Sequence, residues 1–202
     1  MKTLTTAFLI TISYFSFAQV SPADFNRELT KISQEFRAQI MDKDACEALR
    51  GNTADLSSKI RNARKMIDRY SENELNQLKE LKTEANALEE FISVISGSRV
   101  FSFSLKEFHL ANKRIRASVT KIDSDKYCVD IIKIEIGEYV TFFAENTTDK
   151  NFQISYKWKA PNGQSGNGSM GVELKSIRHI YNNRDSKIKQ NISVINIDCE
   201  EF

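Results

Sequence analysis

Apolar residues at Phe25, Leu29, Ile32, Phe36 and Ile40 recur at intervals of three and four, the spacing of one helix face. Ser21-Pro22 offers a cap and a first-turn proline before them, and Gly51 is placed to end a helix that runs to about Arg50. Asn52 or Thr53 can cap a second helix, with the stripe Leu56, Ile60, Ala63, Ile67 and Tyr70. So short a connection predicts antiparallel neighbours. At Ser71 the phase changes: Ser71 and Glu74 have the spacing of a capping box, and Leu78, Leu81, Ala85, Leu88, Ile92 and Ile95 form a new stripe. Residues 53–96 are therefore either two helices or one helix with a stutter. The kinked continuation is preferred, because nothing between Tyr70 and Asn73 forces a reversal. Ser96-Gly97-Ser98 closes the helical part.

From Val100 the period falls to two. Phe101, Phe103 and Leu105 alternate with serines, and Ile115, Ala117 and Val119 alternate with polar residues, so both stretches are expected to be strands. The richest β sequence runs from Tyr127 to Glu145, broken at Gly137. A two-residue turn there sets Ile132, Ile134 and Ile136 opposite Phe143, Thr141 and Tyr139; a three-residue turn sets them opposite Ala144, Phe142 and Val140. Both registers are apolar enough, and the sequence leaves the choice open. Phe152, Ile154, Tyr156 and Trp158 then alternate with lysines, and residues 168–174, 177–181 and 188–198 complete the strand set. The expected class is α+β: an N-terminal antiparallel helical hairpin or three-helix stalk, coiled-coil-like, over 19–97, then an antiparallel β-sandwich of immunoglobulin-like architecture over 98–202.

Residues 1–18 change the picture of where the protein works. A lysine at position 2, an apolar run from Ala7 to Phe17 and small residues at Ser16 and Ala18 have the layout of a cleavable signal peptide. The mature product is expected in the periplasm, in the cell envelope or outside the cell, with no membrane span after cleavage. A formal charge of +2 gives no electrostatic reason to expect nucleic acid. Export makes a disulfide chemically reasonable, and Cys128 with Cys199 would clasp the two ends of the β part. That pairing leaves Cys46 over, as a thiol or as an intermolecular link.

Candidate chemistry is sparse. Gly166-Asn167-Gly168-Ser169-Met170-Gly171 matches the glycine string of dinucleotide sites, but a proline turn precedes it and a strand follows, so a flexible hairpin loop is expected. His109 and His179 have no metal-ligand spacing to any cysteine or to each other. Asp123-Ser124-Asp125 resembles the start of a calcium loop, yet Cys128 stands where that loop needs glycine. No catalytic residue, metal ligand or cofactor is assigned. Two surfaces remain: Lys59, Arg61, Arg64, Lys65 and Arg69 as a basic docking face, and Tyr156 with Trp158 as a stacking platform for sugar rings if they face outward.

These features point to a non-enzymatic interaction protein that binds a protein partner, or a second copy of itself, through its helices. A carbohydrate-binding module recognising envelope glycan is the alternative. A hydrolase assembled from scattered residues has no local support in the sequence.

Overall fold

The backbone follows the capping chemistry of the sequence more closely than its stripes. A computed structural model describes residues 20–97, 103–122, 128–159, 163–183 and 193–201. The expected signal peptide and the Asp123-Ser124-Asp125 turn lie outside the described residues. Helix α1 spans Pro22–Gln39, α2 Lys43–Arg64 and α3 Glu72–Ser96; a short strand β1, Phe103–Ser104, leads into α4, Leu105–Ile115. The strands that follow are β2 (Ser118–Ile122), β3 (Asp130–Ile136), β4 (Tyr139–Asn146), β5 (Phe152–Lys159), β6 (Ser165–Val172), β7 (Ser176–Asn183) and β8 (Ser193–Glu201). Among the described residues the architecture is α+β, with four helices and two antiparallel sheets, ordered β1-β7-β4-β3-β2 and β6-β5-β8.

Three helical expectations are corrected. The first helix stops at Gln39 rather than Arg50, and Gly51 lies inside α2. The Asp42 carboxylate accepts from the backbone N–H groups of Asp44 at 2.9 Å and Ala45 at 3.1 Å, so a strong cap outweighs a weak glycine stop. Gly51 is exposed with open space around it, and its cost to the helix is only about 1 kcal/mol. Second, residues 53–96 are not one kinked helix. After α2 a 3-10 turn, Ile67–Arg69, and an extended Tyr70 carry the chain to Ser71. There the reciprocal box forms: Glu74 N–H donates to the Ser71 hydroxyl at 3.3 Å, and Ser71 N–H donates to the Glu74 carboxylate at 2.8 Å. Third, the strand expected at Phe103 is kept only as the two-residue β1, and from Leu105 to Ile115, where the period-two pattern was expected to continue, the chain is helix α4. Ser104 and Glu107 form another capping box, and Phe108, Ala111 and Ile115 make the buried stripe.

The β hairpin resolves its open register. Ile136 pairs with Tyr139, Ile134 with Thr141 and Ile132 with Phe143, which is the two-residue turn; Gly137 adopts the positive φ of 59° that this turn requires. Strand β4 is buried on both faces. On one, Tyr139 and Phe143 join Ile132, Ile134, Ile136 and Ile177 in a core shared with all four helices. On the other, Val140, Phe142 and Ala144 meet Ile154 and Val172 of the smaller sheet. Phe91 of α3 sits at the centre of the first core, its ring within 6.3 Å, centre to centre, of Phe36, Phe103, Phe108 and Phe143. The helices are thus not a stalk standing off the sheet, because their apolar stripes are consumed inside the chain.

Candidate functional site

The β part brings some of the singled-out residues together. Cys128, at the approach to β3 in the larger sheet, is bonded to Cys199 of β8 in the smaller one, with Cα atoms 6.2 Å apart across 71 positions of sequence. The bond therefore ties one sheet to the other. Cys46 is buried in α2, and its thiol donates toward the carbonyls of Ile40 at 3.6 Å and Gln39 at 3.7 Å, groups left over where α1 ends. That burial removes the geometric basis for an intermolecular link through Cys46.

Tyr156 and Trp158 share one face of β5, opposite Gly168 and Gly166 of β6. A Cβ at Gly168 would lie 2.3 Å from the Tyr156 ring, and one at Gly166 2.6 Å from the Trp158 indole. The glycines thus create the space over which the rings lie, and the glycine string is strand β6 rather than a loop. Both rings are half-buried against the core between the sheets. The Tyr156 hydroxyl donates to the Ile180 carbonyl at 3.2 Å, and burial holds its pKa above the ordinary tyrosine range. Tyr156 is therefore committed to packing, and a sugar platform would rest on Trp158 alone.

His179 packs within the fold, whereas His109 is exposed on α4. His179 is within 2.8 Å of the Thr141 hydroxyl and edge-on to Phe143. His109 projects from α4 to 4.0 Å from Glu145. Desolvation raises the Glu145 pKa, opposed by His109, reinforced by Asp130 and opposed again by Lys121. No group of metal-ligating side chains occurs among the described residues. No described helix is long and apolar enough to cross a membrane.

The basic residues of α2 do not act as one face. Lys59 is held by Asp55 at 2.8 Å and Glu28 at 3.5 Å, and the Asp55 hydrogen bond leads the causes that raise its pKa. Arg61 reaches Ser58 at 3.4 Å. Arg64 and Lys65 lie where α2 ends, and Arg69 follows in the 3-10 turn. Between them the turn presents Met66, 47% exposed, and Ile67, 63% exposed. Val20, itself exposed, joins this corner through its carbonyl, which accepts from the Tyr70 hydroxyl at 2.9 Å. The sequence reading missed the corner by counting Ile67 into the α2 stripe. The signal that could have found it is the Ser71 capping box, which makes the preceding residues a turn and releases Ile67 from the core. Comparison with family models, curated proteins and solved structures gives no match, so the functional reading rests on this geometry.

Proposed function

We propose that this is an exported, non-enzymatic interaction protein of the envelope or secretome that docks a protein partner through the corner between α2 and α3. The observation that carries the reading is the exposed pair Met66-Ile67 set among Arg64, Lys65 and Arg69. Single exposed apolar residues are common on any surface, but two adjacent large ones at a tight corner, flanked in sequence by three cations against one exposed carboxylate, Asp68, have the makeup of an interface centre with a charged rim. Positive charge around them selects an acidic partner surface. Export is supported by the layout of residues 1–18 and by the Cys128–Cys199 bond, a linkage that persists in oxidising compartments. In this reading the two sheets form a sandwich of immunoglobulin-like layout that positions the helical corner. A carbohydrate-binding role is the weaker alternative, since the Tyr156 hydroxyl is already spent.

The test is a triple substitution, Arg64→Glu, Lys65→Glu and Ile67→Asp, in the full tagged chain expressed in its own cells. A discrete protein co-purifying with the unmodified chain is expected to be lost from the variant while far-UV circular dichroism stays the same. Recovery of the same proteins at the same yield by both chains would reject the corner as the docking site.

A further inference from the structure

A second feature lies away from that corner, where α1, α3 and α4 meet around a depression of about 340 Å³. Arg37 and Gln34 of α1, Glu84 of α3, and Lys113, Arg114 and Arg116 at the end of α4 surround it. Glu84 and Arg114 neutralise one another: the Arg114 Nε–H donates to the Glu84 carboxylate at 2.7 Å, and a second, shorter bond runs from Nη2. Arg114 also reaches the Thr30 hydroxyl at 3.4 Å, which fixes its guanidinium across the floor. Arg37, Lys113 and Arg116 make no hydrogen bond or ion pair through their side chains to any described residue. Three exposed cations thus line the depression with no carboxylate paired to them among the described residues.

The ordinary explanation for cations here is the helix dipole, because Arg37 and Lys113 lie in the last turns of α1 and α4 and Arg116 caps α4. Its magnitude is too small. Each helix end carries about half a negative charge, so two ends offset about one of the three cations and leave about two uncompensated. A monocarboxylate would balance only half of that. A phosphate monoester, with a charge of about −1.5 to −2 near neutral pH, matches it and offers oxygens for the guanidinium forks. The volume falls at the small end of the range for small-molecule sites, roughly 300 to 1,000 Å³. Arg116 reaches the rim because the backbone there turns left-handed, at φ 55°.

We infer that this depression is a binding site for a phosphate monoester, carried either by a soluble metabolite-sized molecule or by a lipid headgroup. The inference does not depend on the docking corner, and the two sites share no residue. The test titrates the full chain with glycerol 3-phosphate by calorimetry. A second arm measures co-sedimentation with phosphatidylcholine vesicles with and without phosphatidic acid. Binding in either arm is expected and identifies the source. It should weaken about tenfold or more in Arg37→Gln and again on adding Arg116→Asn, since each removes a charged hydrogen bond and asparagine keeps the left-handed backbone. Lys59→Gln, on α2 and outside the lining of the depression, should leave binding unchanged. Below about pH 6, where the ester takes a proton, affinity should fall. Silence in both arms at millimolar phosphate ester, or binding that both arginine variants leave intact, overturns the inference; unchanged melting temperatures confirm that the variants are folded.

Discussion

Phe91→Ala tests whether the helices and the sheets are one cooperative unit. Phe91 has no solvent exposure, and its ring touches the rings of α1, β1, α4 and β4. Truncating a buried phenylalanine costs about 3 to 5 kcal/mol through lost transfer energy and the cavity left behind. With four ring neighbours that cannot all collapse into the space, the upper half of that range is expected, about 4 kcal/mol. That is a large share of the roughly 5 to 15 kcal/mol of a typical domain. With a urea slope of about 2 kcal/mol per molar, the midpoint should drop by about 2 M. The assay follows two probes in one titration: far-UV circular dichroism for the helices, and the fluorescence of Trp158, the chain's one tryptophan, which packs half-buried against the core between the two sheets. Phe91 belongs to the other core, so the probes coincide only if stability passes through β4. A Trp158 midpoint that stays in place while the helical signal falls would refute the shared core.

Three other outcomes follow from the same structure. Cys199→Ser should destabilise the chain by about 4 kcal/mol under oxidising conditions, the loop-closure value for a bond spanning 71 positions, and reduction should bring the parent chain to the variant's midpoint; equal oxidised midpoints would contradict this. Burial raises the Glu145 pKa, so its stabilising contribution is complete below its ordinary value of about 4.5 and is lost as pH rises through the raised one. Glu145→Gln, fixed neutral, should therefore melt higher than the parent at pH 7 and alongside it at pH 4, and equal melting at pH 7 would remove the argument. Two glycines should respond oppositely to alanine: Gly168→Ala, whose Cβ would strike the Tyr156 ring, should lose about 1 to 3 kcal/mol, while Gly51→Ala, in open space within α2, should gain about 0.5 to 1 kcal/mol. A destabilised Gly51→Ala would say that α2 does not run through that position.

Periodicity and capping carried unequal weight in reading this chain. The stripes of Phe25 to Phe36 and Leu78 to Ile95 are core in the structure, and the hairpin about Gly137 is where its β-branched residues place it. The Cys128–Cys199 bond was also legible, since the two cysteines bracket the β part. Helix ends were misread wherever a stripe overran a cap. Gly51 looked like a stop, but the carboxylate at Asp42 had already started a helix whose free-energy gain from packing exceeds one glycine penalty. Helix α4 was hidden because Phe103 and Leu105 fit a strand period, although Ser104 and Glu107 announced a helix start. The exposed Met66-Ile67 corner was invisible for the same reason: Ile67 keeps the phase of α2 after α2 has ended. The cationic depression had no sequence signal, because Arg37, Glu84 and Arg116 meet only through the packing of three helices.

The measurement that bears most directly on the account places a photoreactive amino acid at Ile67 and, in a separate chain, at the exposed Lys157 of β5, each expressed in its own cells and illuminated there. The account predicts a discrete protein adduct from Ile67, lost with Arg64→Glu and Lys65→Glu, and no matching adduct from Lys157. Adducts from Lys157 alone would contradict it and move the interaction to the β part.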